Sequence, residues 1–101
     1  MSVYAESLAA IAADSEIATL FSATSLGDRS VAFQLLETEN SAGMTSEGSP
    51  NHRLWRCFER HGWMTVSEYD AGEDMPMRMY EGQLTERGRR CLPVIYDQLA
   101  S

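Results

Sequence analysis

The chain predicts a mainly α-helical domain carrying one small β-hairpin. Three observations lead to that class. Apolar residues recur at helical spacing through most of the chain. The period changes to an alternating one between Met64 and Tyr80, on either side of an acidic turn. Helix-start signals, Ser49-Pro50 and Thr85, stand before and after that change.

The elements follow in order. Val3 to Ala13 is alanine-rich, with Val3, Tyr4, Leu8 and Ile11 at helical spacing. Asp14 and Ser15 interrupt it. Ser15 is a candidate cap for a second piece, Glu16 to Ala23, with Ile17, Leu20 and Phe21. The pattern leaves open whether these are two helices or one kinked helix. Gly27 and Asp28 open a third stretch, Arg29 to Thr38, with the stripe Val31, Ala32, Leu35 and Leu36. Glu39 to Gly48 reads as a loop, because it holds Asn40, Ser41, Gly43, Ser46 and Gly48. Ser49 as N-cap and Pro50 at the first helical position start a helix to about His61, ended by Gly62. Its apolar stripe is Leu54, Trp55 and Phe58. Met64 to Tyr69 and Met77 to Tyr80 are the two strands, joined by the turn Asp70-Ala71-Gly72-Glu73-Asp74. Pro76 belongs at an edge or a strand start. Thr85 caps a last helix whose buried stripe is Leu92, Ile95, Tyr96 and Leu99; Pro93 should bend or loosen it.

With 101 residues this is one domain. A core of this size leaves little room for a deep substrate cavity. No apolar run approaches the ~20 residues needed to span a bilayer. The stretch Met1 to Ala13 carries Glu6 and no basic residue, so no signal peptide is expected there. A cytoplasmic protein is expected, with Cys57 and Cys91 as free thiols.

Charge is more informative. The net charge is −7, with no lysine and eight arginines. Residues 1–48 hold seven acids and one arginine, whereas residues 49–91 hold seven of each. An acidic chain is repelled from phosphate at long range, which argues against a coating or histone-like role. It leaves room for a specific binder whose cations share one face.

Two motifs in the second half are spaced about a hairpin apart. Phe58-Glu59-Arg60-His61-Gly62-Trp63 ends the helix that begins at Ser49. Tyr80, followed by Leu84-Thr85-Glu86-Arg87-Gly88-Arg89, leads into the last one. Together they resemble the winged helix-turn-helix transcriptional regulators of the PadR, MarR and HxlR type. In those families a recognition helix ends in a motif like the first, and a wing hairpin leads into one like the second. The resemblance covers roughly half the chain. It implies a winged helix-turn-helix with extra N-terminal and C-terminal helices: residues 1–25 as a helical dimerisation segment, 26–84 as the winged module and 85–101 as the C-terminal helix.

The chain departs from the pattern in three ways. Extra residues between Tyr80 and Leu84 suggest a bulge or a shifted strand end. The turn is acidic (Glu68, Asp70, Glu73, Asp74), where a DNA-contacting wing is normally basic. The supporting helix of the helix-turn-helix is poorly marked: it is either Asp28 to Thr38 with a long turn, or a short helix near Met44 to Glu47.

The chemistry of the DNA reading is direct. A helix enters the major groove with its N-terminal half against base edges. Asn51, His52, Arg53, Arg56 and Arg60 stand opposite the apolar stripe of the 49–61 helix. Arginine pairs bidentately with guanine and asparagine with adenine. Ser49 and the helix N-terminus suit a phosphate. Arg87, Arg89 and Arg90 form a second cationic cluster, placed either against the DNA backbone or against Glu81 and Glu86. The bland alternative for the arginines of the 49–61 helix is a solvated face that pairs with the acidic N-terminal half. Two copies reading adjacent half-sites of double-stranded DNA would provide selectivity, so a homodimer is expected. Their contact surface would come from the N-terminal helices and the final helix.

An enzyme is not expected. No nucleophile motif, glycine-rich phosphate loop or paired His–carboxylate spacing is present. No metal site or cofactor is expected either, since His52, His61, Cys57 and Cys91 do not have zinc-site spacing. Trp55 and Trp63 read as core residues. The six methionines serve either packing or an effector pocket. The rival function is an acidic protein-binding or DNA-mimicking module on the same fold, of the kind a phage or plasmid inhibitor would use; the −7 charge and the acidic turn favour it.

Overall fold

The computed structural model describes residues 2–37, 42–70, 72–74 and 76–100. Among them are five helices and one three-stranded antiparallel sheet, in the order α1 (Val3–Ala13), α2 (Ser15–Ala23), α3 (Leu26–Glu37), β1 (Ala42–Ser46), α4 (Pro50–Arg60), β2 (Met64–Tyr69), β3 (Met79–Leu84) and α5 (Glu86–Ala100). The sheet order is β1-β3-β2, so the β2–β3 hairpin gains a third strand from earlier in the chain.

Local chemistry sets most boundaries. Ser2 caps α1 by accepting from the Ala5 N–H. The first two pieces are separate helices, with Asp14 between them; it ends α1 and precedes α2, without a side-chain cap. Helix α3 starts three residues before the expected Arg29. Ser25 Oγ accepts from the Asp28 N–H at 3.1 Å, and Asp28 Oδ2 accepts from the Ser25 N–H at 3.3 Å. This reciprocal pair satisfies two amides that the helix itself leaves free. Helix α4 ends in a Schellman turn. Gly62 takes φ 78°, its N–H reaches Glu59 O at 3.0 Å, and the Trp63 N–H reaches Phe58 O at 3.0 Å.

The segment read as a loop needs correction. Residues 42–46 form strand β1, antiparallel to β3, with Gly43 opposite Gly82 and Thr45 opposite Tyr80. There is no helix over Met44–Ser46. Glu39, Asn40 and Ser41, like Thr38, lie outside the described residues. Ala-Gly-Met-Thr-Ser lacks the β-branched and aromatic run that marks a strand, so its pairing is imposed by the neighbour. The two opposed glycines explain why. Trp55 lies against them, and a Cβ on Gly82 would come within 2.6 Å of the indole, one on Gly43 within 3.1 Å. The bare backbone there is a shelf for the tryptophan ring.

Of the two alternatives for the residues after Tyr80, the shifted strand end holds and the bulge is absent. Strand β3 runs regularly from Met79 to Leu84, pairing Tyr69 with Met79 through to Met64 with Leu84. The residues between Tyr80 and Leu84 lengthen the strand, whose start lies two residues after Met77. Ala71 and Met75 of the turn region lie outside the described residues.

The helices cover one face of the sheet. Trp55, Phe58, Cys57, Leu54, Trp63, Ile17, Ile95 and Cys91 are all buried to 1 % exposure or less. Burying a side chain such as Leu54 or Phe58 contributes about 1.5–3 kcal/mol. Phe21 and Tyr96 meet edge to face at 5.3 Å. Helix α5 runs on through Pro93, which is exposed. Its stripe, Leu92, Ile95 and Tyr96, packs inside the chain with Ile17, Leu20 and Phe21. These residues are therefore spent within one copy and do not face a twin. Helix α1 packs on α5 and leaves Tyr4, Ala5, Ala9 and Ala12 exposed. No helix of the described residues is long and apolar enough to cross a membrane.

Candidate nucleic-acid interface

Helix α4 has two unlike faces. Asn51, Leu54, Trp55, Cys57 and Phe58 are buried. The remaining arc carries Ser49, His52, Arg53, Arg56, Glu59 and Arg60, which are exposed or half-buried. At 100° per residue these six fall on one stripe. Strand β3 borders it at Tyr80 and strand β2 at Val66; Arg53 and Arg60 are its exposed members.

One candidate base reader leaves the list. Asn51 is 2 % exposed and its Nδ2 donates to Thr45 Oγ1 at 3.1 Å. It sits one turn before Leu54 and Trp55, on the core side. Its work is to tie α4 to β1, since an unpaired buried amide would be costly. No base edge can reach it.

The others are held in different degrees. Ser49 Oγ accepts from the His52 N–H at 3.1 Å, the N-cap bond, and donates to Ser46 O at 2.9 Å. His52 stacks on Tyr80 with ring centroids 4.1 Å apart. Its Nδ1 accepts from the Gly48 N–H at 3.1 Å, so the neutral ring carries its proton on Nε2. Partial burial pushes the His52 pKa below its ordinary value, and the nearby Arg56 guanidinium adds to this; Glu47 and Glu59 oppose it. Arg56 lies over the Tyr80 ring at 5.2 Å and pairs with Glu59 at 2.8 Å. Arg60 pairs with Glu16 on α2 at 3.1 Å, and its Nη2 also reaches the Cys57 sulfur. Burial keeps that thiol protonated by raising its pKa, although Arg60 works in the other direction. Arg53 is exposed and has no ion-pair partner among the described residues.

The second cluster is surface-paired. Arg87 pairs with Glu6 of α1, and Arg90 with Glu86 one turn earlier on α5. Arg89 Nη1 donates to the Leu35 carbonyl at 3.3 Å. The Arg87 and Arg89 contacts join α5 to α1 and α3. Glu86 is thus one of the two partners expected for this cluster, while Glu6 was not foreseen because it lies 81 residues away. Sequence reading also missed the roles of Tyr80, as the platform under His52 and Arg56, and of Glu59. Only the helical spacing of Arg56 and Glu59 signalled the latter contact.

The hairpin tip is acidic and partly apolar. Tyr69 and Met77 are exposed, beside Glu68, Asp70 and Arg78, around an open hollow of about 510 Å³. Of the methionines, Met64 is buried in the core, whereas Met44 and Met77 are exposed.

No family model, curated protein or solved structure matches this chain.

Proposed function

We propose that the protein is a sequence-specific DNA-binding regulator that inserts α4 into the major groove. The observation carrying this reading is the cationic outer stripe of α4. It presents Arg53, Arg56 and Arg60, in a chain whose net charge is −7. The Arg56–Glu59 and Arg60–Glu16 pairs do not close that face. The Arg60–Glu16 pair is solvent-exposed and contributes about 0–1 kcal/mol, so phosphate can exchange for that carboxylate; the half-buried Arg56–Glu59 pair yields only to an acceptor pair such as a base edge.

On this reading α2, α3 and α4 form a helix-turn-helix core in which strand β1 occupies the link between α3 and α4. The β2–β3 hairpin is the wing. Its acidic tip keeps it off the phosphates, which leaves α4 as the reading element. Arg53 and Arg56 address bases and Arg60 the backbone, while Ser49 and His52 hold the start of the helix. Two copies, meeting through the uncovered face of α1, would read half-sites about one duplex turn apart.

Fluorescence anisotropy with a library of genomic fragments, at low and moderate salt, tests the reading. Steeply salt-dependent binding to a subset of fragments is expected. Absence of any duplex binding at low salt overturns it. The acidic tip with exposed Tyr69 and Met77 favours one rival, a module that binds a basic protein. Co-purification of such a protein without DNA binding would select that rival.

A further inference from the structure

We infer that Glu59 is a positioning residue that clamps Arg56 on the α4 stripe and withholds it from non-specific phosphate. The inference rests on the DNA-binding reading of α4 and names the residue that sets its selectivity.

The geometry is a three-point bridge. Glu59 Oε1 takes Arg56 Nη1 at 2.8 Å, one helical turn back. Its other oxygen, Oε2, accepts from the Val66 N–H at 3.1 Å. Val66 belongs to β2, which lies at an edge of the sheet, so this N–H has no strand to bond. The carboxylate is therefore fixed at both oxygens, and a fixed carboxylate fixes the guanidinium it holds. Tyr80 lies beneath Arg56 at 5.2 Å and supplies the second restraint. Arg53, three residues earlier, has neither restraint among the described residues.

The consequence is electrostatic as well as steric. A clamped Arg56 is already paired, so it gains little from an isolated phosphate. A guanine edge offers two acceptors in one plane and can compete for the fork. Glu59 thereby penalises backbone-only binding more than base-specific binding. It also blunts the free edge of β2, where an unpaired N–H would invite another strand.

Glu59→Gln separates these roles. The amide oxygen still accepts from the Val66 N–H, but the charge that holds Arg56 is gone. In the wild type, restricted rotation should give two resolved Arg56 Nη signals by nuclear magnetic resonance; in Glu59→Gln they should merge, with Val66 amide exchange unchanged. On a mixed-sequence duplex of about 20 base pairs, Glu59→Gln should bind several-fold more tightly, with a log–log salt slope steeper by roughly 0.9, the value for one added phosphate contact.

Merged Arg56 signals already in the wild type would overturn the clamp, whatever the DNA result. Resolved signals with unchanged affinity and slope in Glu59→Gln would overturn the withholding role while the DNA reading stands. If neither protein binds duplex at low salt, the DNA reading fails and the role assigned to Glu59 falls with it.

Discussion

Helix α4 begins after Ser49 and carries Arg53, Arg56 and Arg60; helix α5 begins after Thr85 and carries Arg87, Arg89 and Arg90. Both caps are hydroxyls, both helices bury a cysteine, and both pack an apolar stripe into one core. Their arginines nevertheless differ in use. Those of α5 reach Glu6, the Leu35 carbonyl and Glu86, and join three helices. Those of α4 share one outer stripe, where Arg56 pairs with Glu59, Arg60 with Glu16 of α2, and Arg53 has no ion-pair partner among the described residues. A count of cations thus says little about where an anion can bind; the tertiary neighbours decide which cations are already engaged.

The largest expected effect tests how firmly α5 is placed. A Cβ on Gly88 would lie 1.8 Å from the Trp63 carbonyl oxygen, a backbone atom that cannot swing away. Gly88→Ala should cost at least about 3 kcal/mol, beyond ordinary overpacking. Denaturant midpoints measure this, and a near-wild-type midpoint would show that the first turn of α5 can shift.

Next comes the contrast between the clusters. Arg53→Ala should weaken specific DNA binding by about 1–3 kcal/mol if the arginine meets a base, with stability unchanged. Arg90→Ala should change that affinity far less. Equal losses in anisotropy titrations would erase the distinction between the two helices.

The caps give a smaller effect. Ser49→Ala and Thr85→Ala should each cost about 1 kcal/mol of stability, because His52 N–H and Gly88 N–H lose their acceptors. Only the Ser49 variant should also weaken DNA binding. A matching affinity loss in Thr85→Ala would place the start of α5 at the DNA.

The smallest effect is one of pH. The folded pKa of His52 lies below its ordinary 6.5, so the unfolded chain takes up this proton first. The contribution of His52 to stability is therefore present above pH 6.5 and declines as the pH falls through 6.5 toward the folded value. Protonation also places a second N–H where the Gly48 N–H already points. The difference in denaturation midpoint between wild type and His52→Gln should shrink from about pH 7.5 to about pH 5. A difference that stays constant over that range would contradict this.

Much of the architecture was legible in the amino-acid order. Apolar spacing identified α1, α2 and α5; Ser49, Pro50 and Gly62 marked both ends of α4; alternation located β2. Those signals are local: they arise from neighbours within a turn or a pleat. The stripe on α4 was legible for the same reason, with Asn51 as the misplaced member.

What tertiary structure alone decided involved partners far apart in sequence. Strand β1 exists because Gly43 and Gly82 come face to face beneath Trp55. Asn51 is internal because Thr45 waits for its amide. Arg87 is engaged by a glutamate at the other end of the chain. Helical and strand periods are written into each segment by backbone geometry, but pairing and burial depend on which surfaces meet, and no local pattern encodes that.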